Sequence, residues 1–284
     1  MYDGLIMFQS KSKDVYPGSG SMEKISENVI NSGKYDELNS ISNWRQKLSN
    51  FYKSDTPFML DGYRWNSVET YFHAMKFMRQ YPIFASSFNA DSNSPWSDTD
   101  TQTGAITKMV GGKSGLYTLK ISKDDYPNKT TREVGKIIRE KYKKHCFNYN
   151  YNNKIIHLPV TVKSVTQQNK KEYAIKFKVI PDDVKINVEK DFYQTREKES
   201  MNQKEYLARF QSKVMVAGVF AKFSQDPNLR KLLLATKDLQ ITHSAGRGSP
   251  AVHMLEFEIV RDCLQKFPHY HNKYFISTLL DIPI

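Results

Sequence analysis

The segment from Ser67 to Gln80 constrains the fold more than any other part of the chain. Val68, Tyr71, Phe72, Met75 and Met78 recur at helical spacing and make one apolar stripe, which Ala74 and Phe77 widen. Little of such a helix is left to face water. Yet Glu69, His73 and Lys76 stand at i, i+4 and i+7, and at about 100° per residue they fall within about 60° of one another. An acid, an imidazole and an amine therefore share one stripe of an otherwise apolar helix. Burying a charge without a partner is costly, so the stripe is either an internal salt-bridge ladder or the wall of a polar pocket. Asn66 and Glu69 also have the spacing of a capping box, in which the glutamate closes the helix N-terminus. Lys76 has the spacing of one half of a surface ion pair. Pro82 is expected to end the helix.

The surrounding pattern reads as one α+β domain, mainly helical with a small β-sheet. Leu5 to Phe8 suits a strand, and Pro17 to Gly20 a loop. A short helix is expected near Tyr35 to Trp44. Phe58–Leu60 and Tyr63–Trp65 flank Asp61-Gly62, a two-residue turn of the hairpin-closing kind. Ser92 to Gly104 and Gly111 to Gly115 read as loops. The C-terminal third is strongly helical: one helix from Gln203 to Phe223, and a second that starts at the Asp226-Pro227 cap and ends near Ala235. Leu239 to His243 suits a short strand, and a last helix runs from Ser249 or Pro250 to about Lys266.

Hydrophobic residues at 39% and charged residues at 25% describe a globular chain, with no run approaching the roughly 20 apolar residues of a membrane helix. Met1 to Gly4 opens without a secretory pattern, which points to an intracellular, cytoplasmic or nuclear protein. The two cysteines, Cys146 and Cys263, make neither a metal motif nor a disulfide framework. The net charge of +12 is unevenly placed: Leu116 to Ile180 holds 13 Lys and 2 Arg against 2 Asp and 3 Glu, a net +10. Residues 116–180 read as a basic insertion or subdomain, with candidate strands around Lys154–Val165 and Tyr173–Val179. It either holds phosphates, as in DNA or RNA, or is a solvated excursion.

Two glycine loops invite an anion. Gly112-Lys113-Ser114 echoes the end of a phosphate-binding loop, but Thr107 stands where the first glycine of that pattern belongs, so it is not a nucleotide-hydrolase P-loop. Flexible backbone beside Lys113 still suits a phosphate. Arg247 and Gly248, ahead of the last helix, place a guanidinium near a helix N-terminus.

Several of these pieces together resemble the NADAR (YbiA-like) family. Leu48-Ser49-Asn50-Phe51-Tyr52 resembles its "sNF" motif, and Asp61 to Trp65 followed by Ser67 to Phe77 is similar to its "DGxxWxxxExYFxAxKF" signature. Ala221-Lys222-Phe223, Leu229 and Leu232 to Thr236 match its "AKFxxxxxLxxxLLxT" stretch. Gly111 to Gly115, Asp182 to Lys185 and Asp191 to Tyr193 resemble a subgroup found in eukaryotes and large viruses. The resemblance covers about 5–115 and 181–265, and skips the basic segment.

It implies a YbiA-like domain that cuts a ribose–nitrogen bond without metal or cofactor. One branch of the family hydrolyses phosphoribosylamine intermediates of riboflavin synthesis, and another removes ADP-ribose from guanine in nucleic acid. Breaking such a bond needs a proton for the leaving nitrogen and stabilisation of positive charge at the anomeric carbon. The resemblance therefore nominates Glu69 as the acid–base group and Lys76 as a Schiff-base lysine, with Lys222 and Lys113 as weaker candidates. Ser49 belongs to the binding motif, Asn50 is placed to bond a sugar hydroxyl, and His73 lines the same stripe. Phe51, Tyr52 and Trp65 are candidates to stack on a base, although Trp65 also reads as core. Arg247 with Gly248 would grip a phosphate. The riboflavin branch carries a tryptophan where this chain has Leu207, and a longer Tyr-Trp-Gly-rich segment where this chain has Ser244 to Pro250. Those departures favour ADP-ribosylated guanine, or another ribosyl-nucleobase, as substrate. A binding module that kept the pocket but lost turnover is the rival from another class.

Overall fold

The computed structural model describes residues 2–97, 104–112, 115–180, 210–244 and 251–268. The fold is α+β, and the chain divides into two compact units, Met1–Phe72 with Val188–Ile284 and His73–Asn187. No described helix is long and apolar enough to cross a membrane.

In the first unit the Gly4–Phe8 strand pairs parallel with Leu239–His243, in register from Gly4↔Leu239 to Phe8↔His243. Lys24–Ile25 and Val252–His253 flank them antiparallel, which completes a four-stranded sheet. Against it pack the helices Phe210–Gln225, Pro227–Ala235 and Leu255–Lys266, with Phe257 centred 5.7 Å from both Phe8 and Phe223. Asp226 caps the Pro227–Ala235 helix by accepting from the N–H of Asn228 at 2.8 Å and of Leu229 at 3.1 Å, as its sequence signal predicts. The Phe58–Leu60 and Tyr63–Trp65 hairpin closes on Asp61 and Gly62 with φ of 54° and 79°, the left-handed pair that a type I′ turn requires.

Three expectations in this unit change. The single helix near Tyr35–Trp44 is two, Asp36–Ser40 and Trp44–Leu48, because Asn43 between them adopts a left-handed φ of 57°. The last helix starts at Leu255 rather than Ser249 or Pro250; Val252–His253 is taken by the sheet, and Ser249 and Pro250 lie outside the described residues. The Gln203–Phe223 helix is described from Phe210 and runs on to Gln225.

The Val68–Met78 helix passes from the first unit into the second. It ends before Pro82, which instead occupies the first turn of a new helix, Pro82–Ser86, a position where its missing N–H costs nothing. A short helix, Gly104–Val110, stands between the two stretches that read as loops. The basic segment is folded, with strands where the sequence suggests them. Leu116–Ser122, Glu172–Lys178 and Thr161–Gln167 form a three-stranded antiparallel sheet, with Glu172–Lys178 in the centre. A second hairpin, Cys146–Tyr151 with Lys154–Pro159, turns on Asn152 and Asn153, both at positive φ. The helix Thr131–Lys141 is closed by a capping box between Thr130 and Glu133. Tyr117, Phe147 and Phe177 meet edge-on or offset, and Trp96 adds to them at 5.7 Å from Phe147. Trp96 precedes the segment, so residues 116–180 share their core with residues from 73 onward.

Candidate active site

The helix that carries Glu69 starts on a cap one residue later than the Asn66–Glu69 spacing predicts. Ser67 Oγ accepts from the N–H of Thr70 at 3.2 Å, and Thr70 Oγ1 accepts from the N–H of Ser67 at 3.3 Å. The reciprocal pair puts Glu69 at the second helical position, not at the third that a capping glutamate occupies. The N–H of Glu69 donates instead to Asn50 O at 3.0 Å. Its residue exposure is 8%, so the carboxylate sits where charge is expensive.

The turn after Leu48 delivers that carbonyl. Ser49 Oγ accepts from the N–H of Phe51 at 3.2 Å, and Ser49 O from the N–H of Tyr52 at 3.1 Å. Asn50 Nδ2 reaches Met215 Sδ at 3.5 Å, while Asn50 Oδ1 is buried with no hydrogen-bond partner. A buried acceptor left unpaired is uncommon and calls for an explanation; a sugar hydroxyl is the donor such an atom suits. Phe51 and Tyr52 are half-buried and keep an exposed part for stacking.

Lys222 approaches the same turn from the Phe210–Gln225 helix, which comes close to the Glu69 helix at Gly218. A Cβ there would stand 3.0 Å from Tyr71 and 3.1 Å from Val68. The Lys222 amine donates to Lys47 O at 2.6 Å and Ser49 O at 2.8 Å. Burial pulls its pKa from 10.5 to about 7, with Asp226 opposing. A neutral amine has two N–H donors, and two carbonyls await them. Lys222 thus positions the Ser49–Tyr52 turn and does not reach outward as a nucleophile.

Trp65 is core, not a stacking surface. It is fully buried, its Nε1 donates to Leu60 O at 2.9 Å, and it meets Tyr71 edge-on at 5.4 Å. Tyr71 in turn donates its hydroxyl to Asp61 at 2.9 Å, and burial raises its pKa well above the ordinary value.

In the second unit the later part of the polar stripe converges on a glycine. Lys76 Nζ lies 2.8 Å from His73 Nδ1 and 3.3 Å from Gly111 O. His73 is 3% exposed, and Lys76 is half-buried. These two members of the stripe thus bond inward, to each other and to a backbone carbonyl. Gly111 closes the Gly104–Val110 helix through a 2.8 Å bond from its N–H to Thr107 O. Sequence reasoning nominated Lys76 and His73 but missed what Gly111 does; the signal was a glycine directly after a helical stretch. Lys113, Arg247 and Gly248 lie outside the described residues.

Comparison with known proteins adds no assignment to this geometry: the chain matches no protein-family model, no curated protein and no solved structure.

Proposed function

We propose that this chain is an N-glycosidase of the NADAR kind that hydrolyses a ribose–nitrogen bond and removes ADP-ribose from guanine in nucleic acid. The observation that carries the reading is the coupling of a buried carboxylate to an unpaired acceptor: Glu69 hangs by its N–H on Asn50 O, and Asn50 Oδ1 is buried without a donor. A sugar hydroxyl bonded there would be bound beside the turn that holds the acid.

The chemistry follows from these side chains. Glu69 is the group that protonates the leaving base nitrogen as the C1–N bond breaks. In the family's reaction a lysine amine captures the anomeric carbon, and Lys76 is the lysine of the matched motif. Water then attacks that carbon, the bond from the amine breaks, and the Glu69 carboxylate takes the water's surplus proton.

Nucleic acid as the substrate class rests on the second unit. The helix Thr131–Lys141 covers the sheet face of Val165, which it meets through Gly135. Strand register puts Lys120, Lys176 and Lys178 on the opposite face, among Thr118, Ser164 and Thr166, with Glu172 on the same face 3.6 Å from Lys120. Three amines against one carboxylate on one face suit a phosphodiester backbone.

The test is release of free ADP-ribose from ADP-ribosylated guanine in an oligonucleotide and in the mononucleotide. The proposal expects faster release from the oligonucleotide, by a margin that shrinks as salt rises. Equal rates would remove nucleic acid from the reading, and no release from either, with turnover of a phosphoribosylamine, would move the substrate to riboflavin intermediates.

A further inference from the structure

The contact between Lys76 and His73 carries a proton. Nζ and Nδ1 are 2.8 Å apart, inside hydrogen-bond distance. An ammonium has only donors, so a charged Lys76 requires a lone pair on Nδ1 and leaves the ring proton on Nε2. If Nδ1 carries the proton instead, the amine must be neutral and accept it. The line between the two nitrogens therefore holds one proton, not two. A second cation this close, on an imidazole 3% exposed, is disfavoured by both desolvation and repulsion. Gly111 fixes the geometry from the other side. Its carbonyl takes a second bond from Nζ at 3.3 Å. A Cβ on Gly111 would stand 2.3 Å from His73 Nδ1 and 2.5 Å from Cγ, closer than any real contact allows.

We infer that His73 is the proton acceptor that turns Lys76 into a nucleophile, and that Gly111 is glycine so that the two side chains can meet. The inference rests on the role given to Lys76 in the proposed reaction. In the resting state the proton lies on Nζ. It passes to Nδ1, which gives a neutral amine and an imidazolium. The amine lone pair forms the Nζ–C1 bond as the C1–N bond to the base breaks; the base nitrogen keeps that electron pair and takes a proton from the general acid of the reaction. Water then attacks C1, the Nζ–C1 pair returns to the amine, and the water's surplus proton goes to the conjugate base of that acid. The Nδ1 proton finally returns to Nζ. His73 touches Lys76 and not the sugar in this scheme, so it is a positioning and proton-holding residue.

The experiment needs no substrate. Trace acetylation of the full chain with acetic anhydride reads the free-amine character of each lysine, and the exposed Lys231, at 62% side-chain exposure, serves as internal reference. His73→Asn is the decisive variant, because its amide oxygen stands on Cγ as Nδ1 does, accepts the same hydrogen bond and takes no proton. The inference expects labelling of Lys76 relative to Lys231 to fall about tenfold at neutral pH in His73→Asn, and to recover at alkaline pH, where the lysine loses its proton unaided. Gly111→Ala should lower the ratio as well, by forcing the ring away. If His73→Asn does not fold, His73→Gln is the second variant. An unchanged ratio at neutral pH in a folded His73 amide variant overturns the inference. Because no sugar is present, that failure leaves the glycosidase reading standing; a normal drop in labelling with no ADP-ribose release would sink the glycosidase and keep the proton pair.

Discussion

Lys222 donates a 2.8 Å hydrogen bond from a fully buried amine to the backbone oxygen of Ser49. The bond ties the helix Phe210–Gln225 to the turn that also carries Asn50, and Asn50 O holds the N–H of Glu69. The geometry of the candidate acid thus depends on a lysine held by the turn that Asn50 belongs to.

Burial lowers the Lys222 pKa from 10.5 to about 7, which gives a stability effect of definite sign. The folded value lies below the unfolded one, so the unfolded chain binds more protons between the two, and stability rises with pH across that window. The penalty is present in full below about pH 7 and is relieved towards about pH 10.5. Urea unfolding of wild type and Lys222→Met at neutral and mildly alkaline pH checks this. The wild type should gain stability; at the alkaline end the variant, which leaves two carbonyls without their donor, should be weaker by about 1–3 kcal/mol, and it should show no such gain with pH.

Arg45 and Glu23 form a pair with 5% and 0% side-chain exposure at 2.7 Å. Glu23 also accepts from the N–H groups of Met7, Gly18 and Gly20, so it pins the loop after the first strand. Arg45→Met would leave that carboxylate buried without its cation. A loss of about 3–5 kcal/mol in chemical denaturation is expected, and a loss below about 1 kcal/mol, the size of an exposed pair, would contradict the clasp.

Asp226→Ala removes two capping bonds from the Pro227–Ala235 helix. It should cost about 1 kcal/mol in a thermal melt, and Asp226→Asn should restore most of it.

Replacing Lys120, Lys176 or Lys178 singly by Ala should weaken binding to an unmodified oligonucleotide at all sequences alike. Each should reduce the slope of log affinity against log salt by about 1. Titration by fluorescence anisotropy at several salt concentrations reads the slope, and an unchanged slope in all three variants would take nucleic acid off this face.

Features set by neighbours in sequence were legible before any coordinates. Asp61-Gly62 named its hairpin and Asp226-Pro227 its helix start, because turn and cap bonds close within three residues. The stripe of Glu69, His73 and Lys76 was legible for the same reason, since helical spacing fixes which side chains share a face. What escaped depends on distant partners. The parallel pairing of Gly4 with Leu239 has no local signal. Nor does the Lys222 amine, whose acceptors lie at residues 47 and 49. The helix Thr131–Lys141 was hidden by its charge density, although its Thr130–Glu133 box and buried Val134 and Ile138 were there to read. Trp65 was ambiguous because a tryptophan in a hairpin faces in or out according to packing alone.

The most direct test of the account is the rate of ADP-ribose release from an ADP-ribosylated guanine oligonucleotide by wild type and Glu69→Gln. The amide keeps the shape, and its N–H bond to Asn50 O is untouched. The account predicts release by wild type and a loss of at least about 100-fold in Glu69→Gln with the melting temperature unchanged. Release by Glu69→Gln at the wild-type rate would contradict it.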